Sequence, residues 1–322
     1  MLKILQFADL HSRERDLPEI EKCLHAIIEI AHTEQPDLIV MAGDTFDSRM
    51  VRLDSQSAKM IFRVYQALAD IAPMVVVVGT PSHDGMAPEV LAQIRAVHEI
   101  YVAERPEQIM LFDSRFMRPS PTMIPEAIIS LVPAPTKQYT DINESNQDIA
   151  NALGTMMAGF GAQAGAFPDV PHILCGHFSV SGAMLSDTQT MIGRDIEISQ
   201  EQIGFANADL TLLGHIHLPQ KIGENIFYSG SISSLNFGEL HDHGCFLHTI
   251  GGDHNLISHF LKTPATKLIK LRADLTIQAW NLSLDGLIKP FAAAEKAMLA
   301  FGIEMGKING KEEMRCTRKK KL

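Results

Sequence analysis

Apolar and polar positions follow two different periods in the N-terminal part of the chain. Short uninterrupted apolar runs predict strands that are buried on both faces, and between them apolar residues recur at the three- and four-residue spacing of an amphipathic helix. The order strand, helix, strand, helix, strand predicts parallel strands joined by right-handed crossovers. The predicted strands are residues 2–8, 37–43 and 74–78, and the helical stripes lie within residues 17–31 and 58–68.

Shorter strand patterns continue through the rest of the chain, and Gly251-Gly252 predicts a hairpin turn. Together they predict an α/β fold in which two mixed β-sheets pack face to face with flanking helices. A boundary near Thr263-Pro264 separates residues 1–262 from a small segment, 263–322, with one strand (267–271) and one helix (288–300). The further strands are predicted at 128–132, 172–175, 210–213, 226–228, 244–250 and 256–261.

Residues 154–168 contain a Gly-x-Gly sequence, which is one element of a dinucleotide-binding motif. That motif has to follow a strand, whereas this segment follows a predicted helix. We therefore interpret residues 154–168 as a flexible loop.

Several predicted strands end in aspartate or histidine, usually with a glycine close ahead. Because the carboxyl ends of parallel strands meet at the same edge of a sheet, these side chains are expected to converge. Any one of the histidines alone would be interpreted as structural; the repetition of the pattern favours a shared site. The residues concerned are Asp9, His11, Asp44, Asp47, His83, Asp84, His177, His215 and His217.

Mixed aspartate and histidine ligands suit Mn²⁺, Fe²⁺ or Zn²⁺ better than Ca²⁺ or Mg²⁺, which prefer oxygen ligands. More than four ligands indicate two ions, and a carboxylate such as Asp44 can bridge ions that lie about 3.5–4 Å apart in two-metal hydrolases. The sequence therefore predicts two divalent metal ions, with Mn²⁺ as the expected metal. The remaining histidines are interpreted as structural or solvated.

The composition is that of an ordinary globular protein: 322 residues, 46% hydrophobic and 20% charged. The formal net charge of −10 excludes nucleic-acid binding through overall charge, although a local basic groove stays open. Four scattered cysteines without a CxxC pair indicate reduced thiols. Asp9 interrupts any signal-peptide core, and no apolar run reaches the about 20 residues that span a bilayer. We expect a cytoplasmic protein with no membrane association.

The order Asp-x-His, Gly-Asp-x-x-Asp, His-Asp, Gly-His and Gly-His-x-His resembles that of the calcineurin-like metallophosphoesterase superfamily. Within it, LQFADLH, CGHFSVSGA and YSGSISSLNFGE are similar to segments of the SbcD-type nucleases of bacterial double-strand break repair. The resemblance covers about residues 1–275. It implies phosphodiester hydrolysis in DNA by a hydroxide that two metal ions activate, exonucleolytic from 3′ ends and endonucleolytic on single strands.

The resemblance also implies a division of ligands between the two ions. The first ion is expected on Asp9, His11, Asp44 and His217, and the second on Asp44, His177 and His215.

The histidine-aspartate pair after the third strand has an implied catalytic role. His83 is expected to protonate the leaving oxygen as a general acid, with Asp84 as its orienting partner, while Asp47 supports the site. The family reads Gly-Asn-His-Asp here, and its asparagine completes the second metal shell. This chain has Thr80-Pro81-Ser82 between the glycine and the histidine. We therefore expect the Ser82 hydroxyl, that of Thr80, or a water to replace the amide, and the second site to be weaker.

The expected partners follow from the same resemblance. They are DNA, an SbcC-type ATPase subunit and a second copy of the chain. The stripes within 58–68 and 90–97 could form the homodimer face, although an amphipathic helix is more often buried against its own sheet. Residues 263–322 resemble the start of a capping domain that looks short, and the last residues show no amphipathic pair for docking on the ATPase.

Two other functions remain open at the level of sequence. The fold and its metals are compatible with a phosphoesterase that acts on small phosphodiesters or phosphoproteins, because a fold does not fix its substrate. The missing asparagine is compatible with a catalytically weak DNA-binding subunit, although His83 is retained beside Asp84.

Overall fold

The computed structural model describes residues 1–120, 122–135, 145–186, 189, 196–236, 239–267, 303–308 and 311–316. The chain divides into two compact units, Met1–Lys270 and Leu271–Leu322. Within the described residues, no helix is both long and apolar enough to cross a membrane.

The first sheet of the larger unit has six strands and contains the βαβαβ unit predicted from the sequence. Strands β1 to β4 pair in parallel, and the last two strands add an antiparallel hairpin beside β1. The strands are β1 (Leu2–Phe7), β2 (Leu38–Met41), β3 (Met74–Val77), β4 (Ile100–Ala103), β14 (Gly244–Ile250) and β15 (Leu256–Lys262), in the order β15-β14-β1-β2-β3-β4.

The second sheet has seven strands and is also mixed. Its central strands β7, β8, β11 and β13 are parallel neighbours, and antiparallel strands lie at both edges. The strands are β5 (Glu107–Phe112), β6 (Arg115–Met117), β7 (Ala127–Val132), β8 (His172–His177), β11 (Leu210–Gly214), β12 (Gln220–Ile222) and β13 (Ile226–Tyr228), in the order β12-β13-β11-β8-β7-β5-β6.

Helices cover the outer faces of the two sheets. Apolar residues on one face of β1, β2 and β3 pack with α1 and α2, and those on the opposite face pack with the second sheet. Burial on both faces explains why these strands read as continuous apolar runs. The helices are α1 (Leu17–Glu34), α2 (Gln56–Ala69), α3 (Asn146–Ala164) and α4 (Gln200–Gly204), with 3₁₀ turns at Glu14–Asp16 and Ala87–Gln93. A short parallel pair, β9 (Ser179–Val180) and β10 (Glu197–Ile198), completes the unit.

A buried polar contact crosses the space between the sheets. Gln6 of β1 donates through Nε2 to the carbonyls of Leu213 and Phe227 at 3.1 and 3.2 Å, and its Oε1 lies 3.0 Å from His248 Nε2. Because a buried amide needs partners, this contact ties β1 to two strands of the other sheet.

The interpretation of residues 154–168 as a flexible loop is wrong, because α3 extends through Ala164. The helix begins with a capping box between Ser145 and Asp148. One glycine of the Gly-x-Gly sequence serves packing instead: a Cβ on Gly161 would lie 2.6 Å from the Phe205 carbonyl, whereas a Cβ on Gly159 would meet open space. The helix therefore approaches the chain after α4 more closely than a larger residue would permit.

Strands β4, β5 and β6 were not predicted from the sequence. β4 and β6 lie at sheet edges and have partly exposed side chains, so their hydrophobic alternation is weak. The hairpin between β5 and β6 turns on Asp113 and Ser114, both with positive φ (49° and 57°). Two-residue turns of this kind usually contain Asn-Gly or Asp-Gly, so the Asp-Ser sequence here does not predict a hairpin.

The helical stripe within 58–68 is not available as a free dimerisation face. Ala58, Ile61, Tyr65 and Leu68 are all fully buried in the core of their own chain. The second stripe, 90–97, does not form an α-helix; the 3₁₀ turn ends at Gln93.

In the smaller unit, β16 (Ile303–Ile308) and β17 (Lys311–Cys316) form an antiparallel hairpin that the sequence did not predict. The helix expected at 288–300 lies outside the described residues, as does most of the strand expected at 267–271.

Candidate metal centre

The predicted site residues meet where parallel strands of both sheets end. The first sheet supplies the residues that follow β1, β2 and β3, and the second sheet supplies those at the ends of β8 and β11. The donor atoms of Asp9, His11 and His217 lie within 4.8 Å of one another, as do those of Asp9, Asp44 and His177. The site is therefore shared between the two sheets.

Four of these residues adopt positive φ, which is uncommon for residues other than glycine. The angles are 52° at Asp9, 42° at His11, 57° at Asp44 and 93° at His215. Such conformations are strained by about 1–3 kcal/mol each and persist only where surrounding contacts impose them. Here the imposing contacts include Asp9 N–H to the Gly43 carbonyl and His11 N–H to the Asp44 carbonyl, both at 3.0 Å.

Two glycines permit the close approach of the loops that carry the ligands. Gly43 has a φ of 94°, and a Cβ there would overlap the His177 imidazole. A Cβ on Gly79 would overlap the backbone nitrogen and the carboxylate of Asp44. The glycines before the site residues therefore serve close packing as well as sharp turning.

Asp44 lies at the centre of the cluster and is almost fully buried. Its Oδ2 lies 3.6 Å from His11 Nε2 and 3.3 Å from His177 Nε2. This placement between two histidines that belong to different predicted ion sites matches that of a bridging carboxylate.

Hydrogen bonds on the far side of two imidazoles fix which nitrogen faces the cluster. His177 donates through Nδ1 to the Ala42 carbonyl at 2.7 Å, and His217 donates through Nδ1 to Glu239 Oε1 at 2.9 Å. With Nδ1 protonated, Nε2 is the ligand nitrogen, which is the usual arrangement behind metal-binding histidines. His217 Nε2 lies 3.2 Å from His11 Nε2.

His215 joins the cluster through its backbone and its ring. Its N–H donates to both carboxylate oxygens of Asp9 at 3.0 and 3.2 Å, and its ring centroid lies 5.3 Å from that of His177. Gln189 braces this segment: its Nε2 donates to the His215 carbonyl, and its Oε1 accepts from His217 N–H. Sequence reasoning missed Gln189 because it belongs to no motif.

Burial and mutual charge set the protonation of the cluster. Burial raises the pKa of Asp9 to about 6 and lowers the pKa of His11 well below its ordinary value. Burial and the nearby charge of His177 lower the pKa of His215 to about 3. Although burial opposes ionisation in both partners, the Asp44–His177 pair lowers the pKa of Asp44 and raises the pKa of His177 to about 9. The cluster thus combines neutral imidazoles at His11 and His215 with an Asp44–His177 ion pair.

This donor set fits divalent cations. Two imidazole Nε2 atoms that face each other at 3.2 Å repel unless a proton or a cation lies between their lone pairs. Buried carboxylates likewise require a compensating positive charge. Because the donors combine imidazole nitrogen with carboxylate oxygen, they suit transition-metal ions better than Ca²⁺.

His83 lies at the rim of the cluster, but Asp84 does not orient it. Its ring stands edge-on to that of His11 with centroids 4.6 Å apart, and its Nδ1 lies 3.0 Å from the Asp47 carbonyl. Asp84 is fully buried and instead accepts three backbone N–H groups, from Asp44 (3.0 Å), Phe46 (2.9 Å) and Gly79 (2.8 Å). The orienting partner of His83 is therefore the Asp47 carbonyl, while Asp84 organises the loops.

Thr80, rather than Ser82, reaches the cluster. The Thr80 hydroxyl lies 2.9 and 2.8 Å from the two Asp44 carboxylate oxygens and 3.4 Å from His177 Nε2. Ser82 is exposed, and its carbonyl accepts from Arg49 N–H. Ser82 was expected because it directly precedes His83 in the sequence. The loop instead brings Thr80, which directly follows Gly79, into contact with Asp44 and His177.

Two further charged residues support the cluster and were not assigned from the sequence. Glu239, which ends the YSGSISSLNFGE segment, is buried against His217 and also accepts from Leu235 N–H at 2.7 Å. Arg13 lies 3.2 Å from Asp47 Oδ1, and Asp47 Oδ1 lies 3.9 Å from His11 Nδ1. The donor atoms of His11, Asp47 and His83 lie within 4.8 Å of one another, so Asp47 lies at the rim of the cluster and its supporting role stays a prediction.

The part of the sequence that forms the first strands and their loops is similar to a known family. Residues 2–97, which carry Asp9, His11, Asp44 and His83, match the calcineurin-like phosphoesterases. The similarity to this family covers residues 2–97 of the chain. A curated relative of this chain is the SbcD component of the nuclease SbcCD from Rhodobacter capsulatus, which is 26% identical over 278 residues, 78% of this chain and 67% of the relative.

Solved structures similar to this chain share little of its sequence. A dimetal phosphatase from Danio rerio is 10% identical, with a TM-score of 0.47 over 77% of this chain and 92% of that chain. A Thermus thermophilus protein is 12% identical, with a TM-score of 0.40 over 80% of this chain and 98% of that chain.

Replacing Asp84 by asparagine tests its role in organising the loops. An amide presents a donor where three backbone N–H groups need acceptors, so we expect Asp84→Asn to lower the free energy of unfolding by about 1–3 kcal/mol. Displacement of Asp44 should weaken Mn²⁺ binding as well. Urea unfolding and calorimetric Mn²⁺ titration measure the two effects. Unchanged stability and metal affinity, with activity alone reduced, would restore Asp84 as the partner of His83.

Replacing Glu239 by glutamine tests its hold on His217. The amide keeps the shape but removes the charge that orients the imidazole, and such losses behind a ligand typically reduce metal affinity about 10–100-fold. We expect Glu239→Gln to weaken one Mn²⁺ site by this factor in calorimetry. Glu224→Gln, at an exposed turn, is the matched control and should bind Mn²⁺ like the unaltered protein. Equal affinity in both variants would contradict the role of Glu239.

Proposed function

We propose that this chain is a metallophosphoesterase and acts as a two-metal DNA nuclease of the SbcD type. The observation that carries the proposal is the convergence of aspartate and histidine donors from both sheets around Asp44, with His83 at the rim. The similarity to the SbcD component of a nuclease SbcCD over 78% of the chain supports DNA as the substrate.

The residues divide between two ions that share Asp44. Two divalent ions, expected to be Mn²⁺, supply charge neutralisation at the phosphate and an activated water when bound. We assign Asp9, His11 and His217 to one ion and His177 and His215 to the other; Asp9 also lies close to the second group, because its donor atom and those of Asp44 and His177 lie within 4.8 Å of one another. The hydrogen bonds to Glu239 and Ala42 keep the imidazole Nε2 atoms aimed at these positions.

His83 acts on the leaving group. A backbone carbonyl can only accept, so the Asp47 carbonyl holds a proton on His83 Nδ1. Nε2 is then the nitrogen that delivers a proton to the departing sugar oxygen. Its place beside His11 brings it to the edge of the metal cluster, where that oxygen has to leave.

The surroundings of His83 suit a polyanionic strand despite the net charge of −10. Arg49 is exposed and contacts the His83 loop through its backbone, and Arg15 is 72% exposed on the loop after His11. Arg15 pairs with Asp16 at 3.3 Å, so Arg49 is the cation that we propose to meet a flanking phosphate. The same proposal includes 3′-exonuclease and single-strand endonuclease activity, a cytoplasmic location, an SbcC-type ATPase partner and a homodimer.

The proposal predicts metal-dependent cleavage of both DNA and a small diester. With Mn²⁺, the purified chain should degrade a labelled DNA duplex and hydrolyse bis-p-nitrophenyl phosphate, and EDTA should abolish both because the buried donors alone supply no activated water. Gel and absorbance assays measure the two rates.

Asp44→Asn is the control for contaminating nucleases and should be inactive on both substrates. Hydrolysis of the small diester without any DNA cleavage would favour a small-molecule phosphoesterase. DNA binding without hydrolysis of either substrate would favour a binding subunit. Full activity of a metal-stripped sample would contradict the metal-dependent mechanism itself.

His83→Ala separates proton donation from metal binding. Because general acids typically contribute about 10²–10⁴-fold, we expect DNA cleavage to fall by that factor while both Mn²⁺ ions stay bound. The loss should be much smaller for p-nitrophenyl esters, whose leaving group needs no proton. Loss of an ion in calorimetry would instead make His83 a ligand. His98→Ala, just before β4 at the end of β3 opposite to the metal cluster, is the matched control.

A further inference from the structure

The loop 79–84 contains two more residues than the family pattern, yet it returns His83 and Asp84 to the cluster. The Thr80 carbonyl accepts the backbone N–H groups of both His83 and Asp84 at 2.9 Å. The additional residues are therefore absorbed in one tight turn that begins at Thr80, while Pro81 and Ser82 are exposed at its outside.

Thr80 also holds the central carboxylate of the cluster. Its backbone N–H donates to Asp44 Oδ1 at 2.6 Å, and its hydroxyl lies 2.9 Å from Oδ1 and 2.8 Å from Oδ2. One residue thus supplies two donors to the carboxylate that both metal sites share.

The two oxygens of Asp44 are consequently unequal. Oδ1 accepts the Thr80 N–H at 2.6 Å, whereas the Thr80 hydroxyl lies at nearly the same distance from both oxygens, 2.9 Å from Oδ1 and 2.8 Å from Oδ2. Oδ2 faces His11 Nε2 at 3.6 Å and His177 Nε2 at 3.3 Å. When the hydroxyl proton points to Oδ1, Oδ2 is left for cations, and the hydroxyl lone pairs face the side of His177, whose Nε2 is 3.4 Å away.

We propose that Thr80 is a positioning residue for the second ion: it clamps Asp44 through Oδ1 and turns its hydroxyl oxygen toward the space between Asp44 and His177. This inference rests on the proposed two-metal site but not on the identity of the substrate. Thr80 then performs two tasks, because its carbonyl sets the turn that carries His83 while its side chain serves the ion.

The test removes the hydroxyl and leaves the shape and the backbone contacts. Thr80→Val should raise the Kd of the second Mn²⁺ about 10–100-fold and leave the first unchanged, as is typical when a group behind a metal ligand is lost. Thr80→Ser keeps the hydroxyl and should restore both affinities. Ser82→Ala removes the neighbouring exposed hydroxyl and should behave like the unaltered chain. Calorimetric titration and electron paramagnetic resonance of free Mn²⁺ count the ions without reference to activity.

Several results would overturn the inference. They are equal Mn²⁺ binding by Thr80→Val and the unaltered chain, weakening by Ser82→Ala instead, weakening of both ions alike, and an unaltered chain that binds only one ion. If circular dichroism shows Thr80→Val to be unfolded, Thr80→Ala carries the same expectation. An unaltered chain that binds two ions and responds to Thr80→Val, but cleaves no DNA, would support the role of Thr80 and contradict the nuclease.

Discussion

The Asp84 carboxylate is the constraint on which the geometry of the site depends. It accepts N–H groups from Asp44 and Phe46 in the loop after β2 and from Gly79 in the loop after β3. Because all three donors are buried backbone groups, none can turn to water if the carboxylate is lost. One side chain thereby fixes the separation of two strand ends, and with it the position of Asp44 against the turn that carries His83.

Asp84 links two loops of the first sheet, and two further hydrogen bonds link the first sheet to the second. His177, from the second sheet, donates to the Ala42 carbonyl of the first, and the His215 N–H of the second sheet donates to Asp9 of the first. The same hydrogen bonds that link the sheets at this edge therefore also orient the proposed metal ligands. Gly43 permits the approach, since any side chain there would overlap His177. Positive φ values at Asp9, Asp44 and His215 are accepted because these cross-links over-determine the loops.

The sequence predicted the parts of the site that depend on topology. Parallel strands bring their carboxyl ends to one edge, so Asp9, Asp44 and His177 could be placed together from strand patterns alone. Contacts that depend on the path of a loop were beyond such reasoning. Asp84 follows His83 directly, yet its side chain turns inward to backbone donors, and Thr80 reaches Asp44 while Ser82 faces solvent. Neighbouring positions in a tight turn point in different directions, and no periodicity reports which direction is inward.

Other differences have equally local causes. The glycines of α3 suggested flexibility because composition does not reveal that Gly161 contacts the Phe205 carbonyl. Glu239 could have been found, because a carboxylate that ends a segment similar to a nuclease motif is a natural partner for a ligand histidine. Glu239 accepts from His217 Nδ1 and from Leu235 N–H. One buried carboxylate therefore orients an imidazole and also fixes the loop that carries the carboxylate. Asp84 in the first sheet and Glu239 in the second thus have the same role. Each is a buried carboxylate that accepts from fixed donors and thereby keeps a loop of the site rigid, as a metal ligand requires.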